Sequence, residues 1–598
     1  MASAGAASIS APSSTSSSAS SNSSFSCGNQ LHRFRYVLQN INLEAIPNLA
    51  TSIRASKTPS PEPGIVCTLD PEPLYGSFNI HFRLDFSDGI SWLLKVPARG
   101  HSGTFDESDA EALRSEALTM RLIKSETSVP IPEVYAFDTS LDNDVKCPYT
   151  LMEYIDASPL SIYWFDVTIT EEALEQRRTK TLLDLAAVVL QLNKFRYDQA
   201  GRLLYDDEEA VKGIGSVRNY DLGAIVQRAE QQVAEADDDD EDFENCDDSP
   251  LFCEAGPFSD PKKFLLWMLD RRDSCKLEYT KGTYHLLRVL VQWFLAGVEP
   301  QLDDTRSGRF VLSHPDLDLQ NILVSSDGQI RALIDWDGVG TVPDFMGNNS
   351  YPTFLLRDRD PSWFYAAQDN EVAMSQCSPR ELSRYRKIYE EAIAGCLAER
   401  HDETLPEDDW PSKDALKKTT RRSLIIETLQ YATHNVMFTH RVMDLLFNEI
   451  IEVVRPTPGI PPPPTQTNGS GDFQHDTSRA SEASTETNIN GLLEATDDID
   501  SSSDSDTFED KDDNGFGAQE PDSASDLDSD LDSLTDSESL ASVDISSNTD
   551  HSNHLVNAEQ QWFEDNFTIY EVGDALAAGT LDERRMKLLR DGFEALCA

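Results

Sequence analysis

Within NIHFRLDF, apolar Ile80, Phe82, Leu84 and Phe86 alternate with polar neighbours, and after a Ser87-Asp88-Gly89 turn signal the chain resumes with ISWLLKV. A period of two over two such runs predicts a pair of strands joined by a tight turn, with IVCTL at 65–69 as a shorter strand before them. The period then lengthens. Leu113, Ala117, Met120 and Ile123 recur at helical spacing, and Ser108 followed by Glu111 reads as a capping box, which predicts a helix over 109–124. PEVYAF and YTLMEYI predict two more strands. From about residue 170 the helical period dominates, over 171–196, 260–300, 379–400 and 413–454, the third of these opened by Ser378-Pro379 with Glu381. One β-type segment interrupts it, FVLSHPDLDLQNILVSSDGQIRALIDWDG at 310–338. A strand-rich front followed by a helix-rich rear with a hairpin inside it predicts an α+β fold of two lobes with a cleft between them.

Composition limits how much of the 598 residues can share that core. Residues 1–28 are Ser/Ala-rich and too poor in large apolar side chains to offset the entropy of ordering, so they read as a disordered tail. Residues 456–555 begin RPTPGIPPPP, which favours extended polyproline II, and pass into Ser/Asp repeats that stay solvated. The predicted organisation is therefore a tail at 1–28, an extension at 29–63, a strand-rich N-lobe at 64–155 and a helical C-lobe at 156–455. The C-lobe carries a loop at 312–338 and an acidic insertion at 231–250. A linker at 456–555 and a helical segment at 556–598, expected to dock back onto the C-lobe, complete the chain.

The formal net charge is −55, and more than half of it comes from two stretches: ten acids and no base in 231–250, and twenty acids against Lys511 in 491–550. Neither reads as folded. Such a chain repels phosphate backbones and anionic lipid, which argues against nucleic acid or a bare membrane surface as partner. The Pro-rich and acidic segments are instead candidate docking sites for proteins. The cluster Asp237 to Asp242 has neither the glycine nor the ligand spacing of a calcium loop. Nine scattered cysteines without a Cys-x-x-Cys pair signal neither a disulfide framework nor a zinc site. No apolar run is long enough for a membrane span, and the N-terminus lacks the basic start and apolar centre of a secretory signal. Cytoplasm is the expected compartment, with the nucleus as the alternative.

Candidate chemistry concentrates in His314-Pro-Asp316-Leu-Asp-Leu-Gln-Asn321 and in Asp335, fourteen residues further on within ALIDWDG. Moving a phosphoryl group requires a carboxylate to orient or deprotonate the incoming hydroxyl, and oxygen ligands to hold magnesium against the ATP phosphates. Asp316 suits the first task, Asn321 and Asp335 the second. A hairpin turning at Ser326-Asp327-Gly328 would return Asp335 to the neighbourhood of Asn321. Lys95, whose stem apolar flanks would bury, could be paired and aimed by Glu116 on the following helix.

These motifs resemble the aminoglycoside phosphotransferase family, which shares the protein-kinase-like fold and includes choline-kinase-like enzymes. The family's H-x-D-x-x-x-x-N, apolar strand pair and I-D-W/F correspond to HPDLDLQN and IDWD here. The resemblance implies ATP and Mg2+ as cofactors, Asp316 as catalytic base, Asn321 and Asp335 as metal ligands, and His314 as the brace of the catalytic loop. It also places Lys95 at the α- and β-phosphates, Gly76 and Ser77 in a shortened nucleotide-positioning loop, and the backbone near Glu153 and Ile155 at the adenine-receiving hinge. An ordinary turn explains Gly76 as well, and a plain core strand explains Glu153 to Ile155. Pro315 stands where the family has glycine and Asp318-Leu319-Gln320 where it commonly has His-Pro-Gly, but neither change removes a required oxygen. The expected function is transfer of the γ-phosphate to a hydroxyl of a small-molecule acceptor. The competing expectation is a catalytically silent kinase-like scaffold that acts through its Pro-rich and acidic segments.

Overall fold

The computed structural model describes residues 32–57, 64–235, 250–271, 278–298, 309–361, 376–399, 412–434, 438–455 and 568–598. The expected tail at 1–28, residues 236–249 of the acidic insertion and the 456–555 linker lie outside them.

Two helices, α1 (Arg35–Asn40) and α2 (Ala45–Lys57), precede an antiparallel sheet. Its strands are β1 (Cys67–Leu69), β2 (Leu74–Tyr75), β3 (Asn79–Phe86), β4 (Ser91–Pro97), β5 (Val134–Asp138) and β6 (Tyr149–Glu153), with α3 (Glu107–Glu126) between β4 and β5. The spatial order is β1-β3-β4-β6-β5, and β2 pairs with β3. Alternation along β3 and β4 sends Ile80, Phe82, Leu84, Trp92, Leu94 and Val96 to one face, where they form a core with Phe34, Val37, Ile46 and Ala50 of the N-terminal helical segment. Lys95 is the exception in parity and stands on the other face, opposite His81 and Thr150 in the strand register. Against that second face α3 packs Ala117, Leu118, Met120 and Ile123.

The second lobe follows β6. It begins with β7 (Ser158–Pro159), α4 (Leu160–Trp164), α5 (Glu171–Val189), β8 (Arg196–Tyr197), β9 (Leu203–Tyr205), β10 (Val211–Ile214), β11 (Val217–Tyr220), α6 (Leu222–Glu235) and β12 (Phe252–Ala255). It continues with α7 (Pro261–Asp270), α8 (Glu278–Val298), β13 (Phe310–Ser313), β14 (Ile322–Val324), β15 (Ile330–Leu333) and β16 (Gly340–Pro343). The helices α9 (Pro379–Glu399), α10 (Lys413–His434), α11 (Thr439–Val454), α12 (Ile569–Ala577) and α13 (Glu583–Leu596) close it. The last two pack Ile569, Val572, Leu576, Leu589 and Phe593 into one core with Leu286, Leu290, Phe447 and Ile450. Gly573 of α12 meets Gly282 of α8 so closely that a Cβ on the former would lie 2.5 Å from the latter's backbone. Among the described residues no helix is long and apolar enough to cross a membrane.

Four expectations need correction. The cap of α3 is Asp106, whose carboxylate accepts from the Asp109 N–H while Asp109 returns the bond to the Asp106 N–H; Ser108 instead donates to Glu254. Two acids three apart make the same reciprocal bonds as the predicted Ser/Glu box, two residues earlier in the chain. The β-type segment at 310–338 is not the single interruption of the helical part: β8 to β12 occupy part of 196–255, each strand too short to carry a period of its own. Residues 231–235, read as unfolded, are the last turn of α6. Finally, 260–300 and 413–454 each contain two helices rather than one.

Candidate active site

The hairpin of β14 and β15 turns at Ser325 to Gln329, where the Gly328 N–H bonds the Ser325 carbonyl and Gly328 takes φ +82. A Cβ there would also strike Arg177 and Thr181 of α5, so glycine serves both the turn and the close approach. β7, directly after the first lobe, adds a third strand to this hairpin and ties the chemistry-bearing loop to the inter-lobe crossing.

Trp336 is wholly buried, donates from Nε1 to the Leu333 carbonyl at 2.9 Å, and lies edge-on to His314 at 4.4 Å. With Trp336 anchored inward, its two flanking carboxylates, Asp335 and Asp337, turn to the cleft. Asp335 reaches it through φ +63, a left-handed conformation that aspartate tolerates better than most residues. His314 accepts from the Asp316 N–H through Nδ1 at 3.1 Å and bonds the Ile334 carbonyl through Nε2 at 3.0 Å. Burial lowers its pKa to about 4, so it is a neutral ring with both nitrogens committed to backbone. It therefore braces the loop on either side of the site, while its ring also lines the cavity.

Asn321 donates from Nδ2 to both the backbone oxygen and Oδ2 of Asp316, each at 3.1 Å. That fixes the amide orientation and leaves Oδ1 as the face available to a cation. Burial, then the nearby Asp318 charge, raises the pKa of Asp316. Asp318 itself is clasped by Arg357 at 2.7 and 3.0 Å. Across the cleft, the Lys95 ammonium meets Glu116 at 2.6 Å and Asp337 at 2.8 Å. Burial disfavours that charge, but Asp337, Glu116 and Asp335 together outweigh it and hold Lys95 protonated. Glu116 is pushed up to about 8 by burial and by Asp337, and Asp335 to about 7 by enclosure and the same neighbour. Asp337 is held low despite burial, because Lys95 and the Asn79 amide both favour its anion.

Lys95, Glu116 and Asp337 line one cavity; Asp335 is near enough to feel the charges of both Lys95 and Asp316, but Asp316, Asn321 and Asp335 are not on the cavity lining. Oxygens of Asn321 and Asp335 form a donor set that suits magnesium, whose remaining ligands would be phosphate and water oxygens. Gly76 and Ser77 do not join them. The Gly76 N–H bonds the Asn79 carbonyl in a plain turn, and the Ser77 carbonyl accepts from Arg33 of the N-terminal segment. Phe78 and Asn79, the next two residues, line the cavity instead. Glu153 is tied to Glu133 through both its backbone N–H and its carboxylate. Neither it nor Ile155 lines the main cavity.

Asp337, to which the sequence analysis gives no role, touches Lys95 and Asn79. Its signal was available: with tryptophan inward, residues two apart in I-D-W-D fall on the same side. Also unforeseen is the far wall of a cavity of about 730 Å3 that begins at Lys95 and Asp337. Arg218, Tyr220 and Phe252 of the β11–β12 pair line it, together with Arg357, Glu427 and Tyr431. Phe78 packs edge-on to Tyr220 at 5.1 Å and lies 6.2 Å from Phe252, which joins the loop after β2 to the second lobe.

Residues 79–343 match the profile of the phosphotransferase enzyme family, so the resemblance carried by HPDLDLQN and IDWD holds for the segment running from β3 to β16. A subtelomeric hrmA-associated cluster protein of Aspergillus fumigatus is 27% identical over 319 residues, 47% of this chain and 60% of that protein. Altered inheritance of mitochondria protein 9 of Kluyveromyces lactis is 23% identical over 314 residues, 46% of this chain and 48% of that protein. The chain therefore spans less than two thirds of the length of these relatives. Among solved structures, a macrolide 2'-phosphotransferase of Brachybacterium faecium aligns over 68% of this chain and 97% of its own, at 16% identity and a TM-score of 0.30. Plasmodium vivax ethanolamine kinase aligns over 63% and 77%, at 12% identity and a TM-score of 0.31. Overlaps that low carry no argument by themselves. The protein-kinase-like fold rests on the family match together with the sheet order and on the Lys95–Glu116 pair between sheet and α3.

Proposed function

We propose that this chain is an ATP- and Mg2+-dependent phosphotransferase that moves the γ-phosphate to a hydroxyl of a small-molecule acceptor. What carries the reading is an Asp316–Asn321 pair fixed at 3.1 Å and a Lys95–Glu116 pair fixed at 2.6 Å, with Asp335 close enough to feel the charges of both Asp316 and Lys95. Phosphoryl transfer asks the protein mainly for positioning and for charge compensation, and these groups divide that work. Asp316 accepts the hydroxyl proton or aims the hydroxyl. Asn321 and Asp335 would hold the metal, which would offset charge on the phosphates. Lys95, aimed by Glu116, binds the α- and β-phosphates. The family match over 79–343 supports the reaction class, and the 730 Å3 cavity beyond Asp337 supports a small acceptor.

A silent scaffold, acting through protein partners of the Pro-rich and acidic segments, is the second reading. Magnesium-dependent ATP binding and slow ATP hydrolysis, measured on the wild type and on Asp335→Asn, separate the two. The enzyme reading expects both signals in the wild type and a loss of hydrolysis of roughly 100-fold or more in the variant. Nucleotide affinity indifferent to both magnesium and the substitution would leave the scaffold. Cytoplasm remains the proposed compartment, with the nucleus as its alternative. Because the Kluyveromyces lactis relative is named as a mitochondrial protein, imaging of the tagged chain should include mitochondria.

A further inference from the structure

The two carboxylates on Lys95 are not equivalent. Glu116 comes from the interior of α3 and keeps 8% of its side chain exposed, whereas Asp337 keeps 33% exposed and lines the cavity. Asp337 also bonds the Asn79 amide through its second oxygen, so one carboxylate ties the Lys95 ammonium to the first residue after the loop that follows β2. Immediately after it, Gly338 has φ +78 and open space around its Cα, which lets the backbone at Asp337 re-aim without a steric penalty. A fixed partner behind the lysine and a replaceable one in front of it, hinged on glycine, is the arrangement of an internal competitor.

We propose that Asp337 occupies the phosphate position on Lys95, and that nucleotide enters by displacing it, which makes nucleotide binding depend on a divalent cation. This rests on the reading of Lys95 as the phosphate contact. The charge balance gives the reason. Glu116, Asp335 and Asp337 already surround a single ammonium, and Asp316 lies close to Asp335. Phosphates arriving without a metal bring negative charge against the Asp337 carboxylate, which must give up its ammonium while still facing them. A cation held at Asn321 and Asp335 would offset that repulsion and let the carboxylate leave Lys95 at little loss. Displacement also frees Asn79 and with it the loop that would close over the nucleotide.

The test is the affinity of ADP, measured by titration calorimetry in excess MgCl2 and again in EDTA, on the full chain. Asp337→Asn keeps the shape and the Asn79 contact while removing the charge. It should strengthen metal-free ADP binding by roughly tenfold and change Mg-ADP binding by less than about threefold. Asn79→Ala leaves the charge but releases the second oxygen, and should move metal-free affinity in the same direction by about two- to threefold. Unchanged metal-free affinity in Asp337→Asn, or an equal loss in both conditions, would overturn the proposal and make Asp337 a plain inter-lobe tie. A wild type that binds ADP tightly without metal would overturn it too. A wild type that binds ADP in neither condition would sink the phosphotransferase reading first, and this inference with it.

Discussion

At the Lys95 end of the cavity, each chemical group stands beside its partner for a reason that is local in sequence. Asp316 and Asn321 are five residues apart on one loop, Asp335 and Asp337 flank one buried tryptophan, and Lys95 is one strand and one helix from Glu116. At the opposite end, Tyr220 and Phe252 come from paired strands separated by more than thirty residues, Arg357 from a single 3-10 segment at 353–359, and Tyr431 from α10. These groups have no shared spacing. The family match runs from β3 to β16, so it takes in the first end together with Tyr220 and Phe252 and stops before Arg357 and Tyr431. The part of the far wall beyond the match has the most freedom to differ.

The largest effect that would break this comparison is expected at Asp316. Asp316→Asn keeps the shape of the loop but cannot take a proton, so turnover should fall about 10²–10⁴-fold, while Mg-ADP affinity stays within about twofold. The measurement is slow ATP hydrolysis at saturating nucleotide beside calorimetric binding. Parallel loss of both would mean that Asp316 belongs to the nucleotide site and that the division between the two ends is drawn in the wrong place.

What could be read beforehand follows the same division. Alternation in NIHFRLDF and the H-x-D-x-x-x-x-N and I-D-W spacings led to the sheet, the hairpin and the groups on Asp316, Asn321, Asp335 and Lys95, because period and loop spacing are properties of neighbouring residues. Asp337 was undervalued because an acid next to a motif looks like solvent decoration until the burial of Trp336 assigns it a side. Short strands such as β11 and β12, four residues each, carry no measurable period, so the wall they build was invisible. For His314 only the structure shows both ring nitrogens bonded to backbone groups, a detail that spacing does not carry.

That brace gives the next effect in size. His314 has a folded pKa near 4 against an ordinary 6.5, so between those values the unfolded chain binds the extra proton. The stability contributed by the neutral ring is therefore complete above pH 6.5 and is lost as pH falls toward 4, at about 1.4 kcal/mol per pH unit. Asp335 and Glu116, both raised, push the other way, so the wild-type curve alone does not isolate the ring. The difference between wild type and His314→Gln in urea titrations at pH 5 and pH 7.5 does. Equal stability differences at the two values would mean that the ring is not held neutral.

The smallest effect probes the seam between the two ends. Phe252 touches Phe78 and Tyr220, each with ring centroids 6.2 Å away, and carries the Arg218 guanidinium 4.0 Å over its ring. Phe78 sits directly before Asn79, so the aromatic group steadies the loop that meets Asp337 although it touches none of the reacting groups. An aromatic contact of this kind contributes about 0.5–1.5 kcal/mol beyond buried area, so Phe252→Ala should weaken Mg-ADP binding by roughly two- to tenfold. Turnover at saturating nucleotide should stay near wild type, because Asp316 and Asn321 are held by their own loop and the His314 brace, which Phe252 does not touch. Phe252→Leu, which keeps apolar volume but not the ring, should recover only part of the affinity. A fall in turnover with unchanged affinity would show instead that the β11–β12 wall acts on the transfer step itself, and the two ends of the cavity would then have to be treated as one.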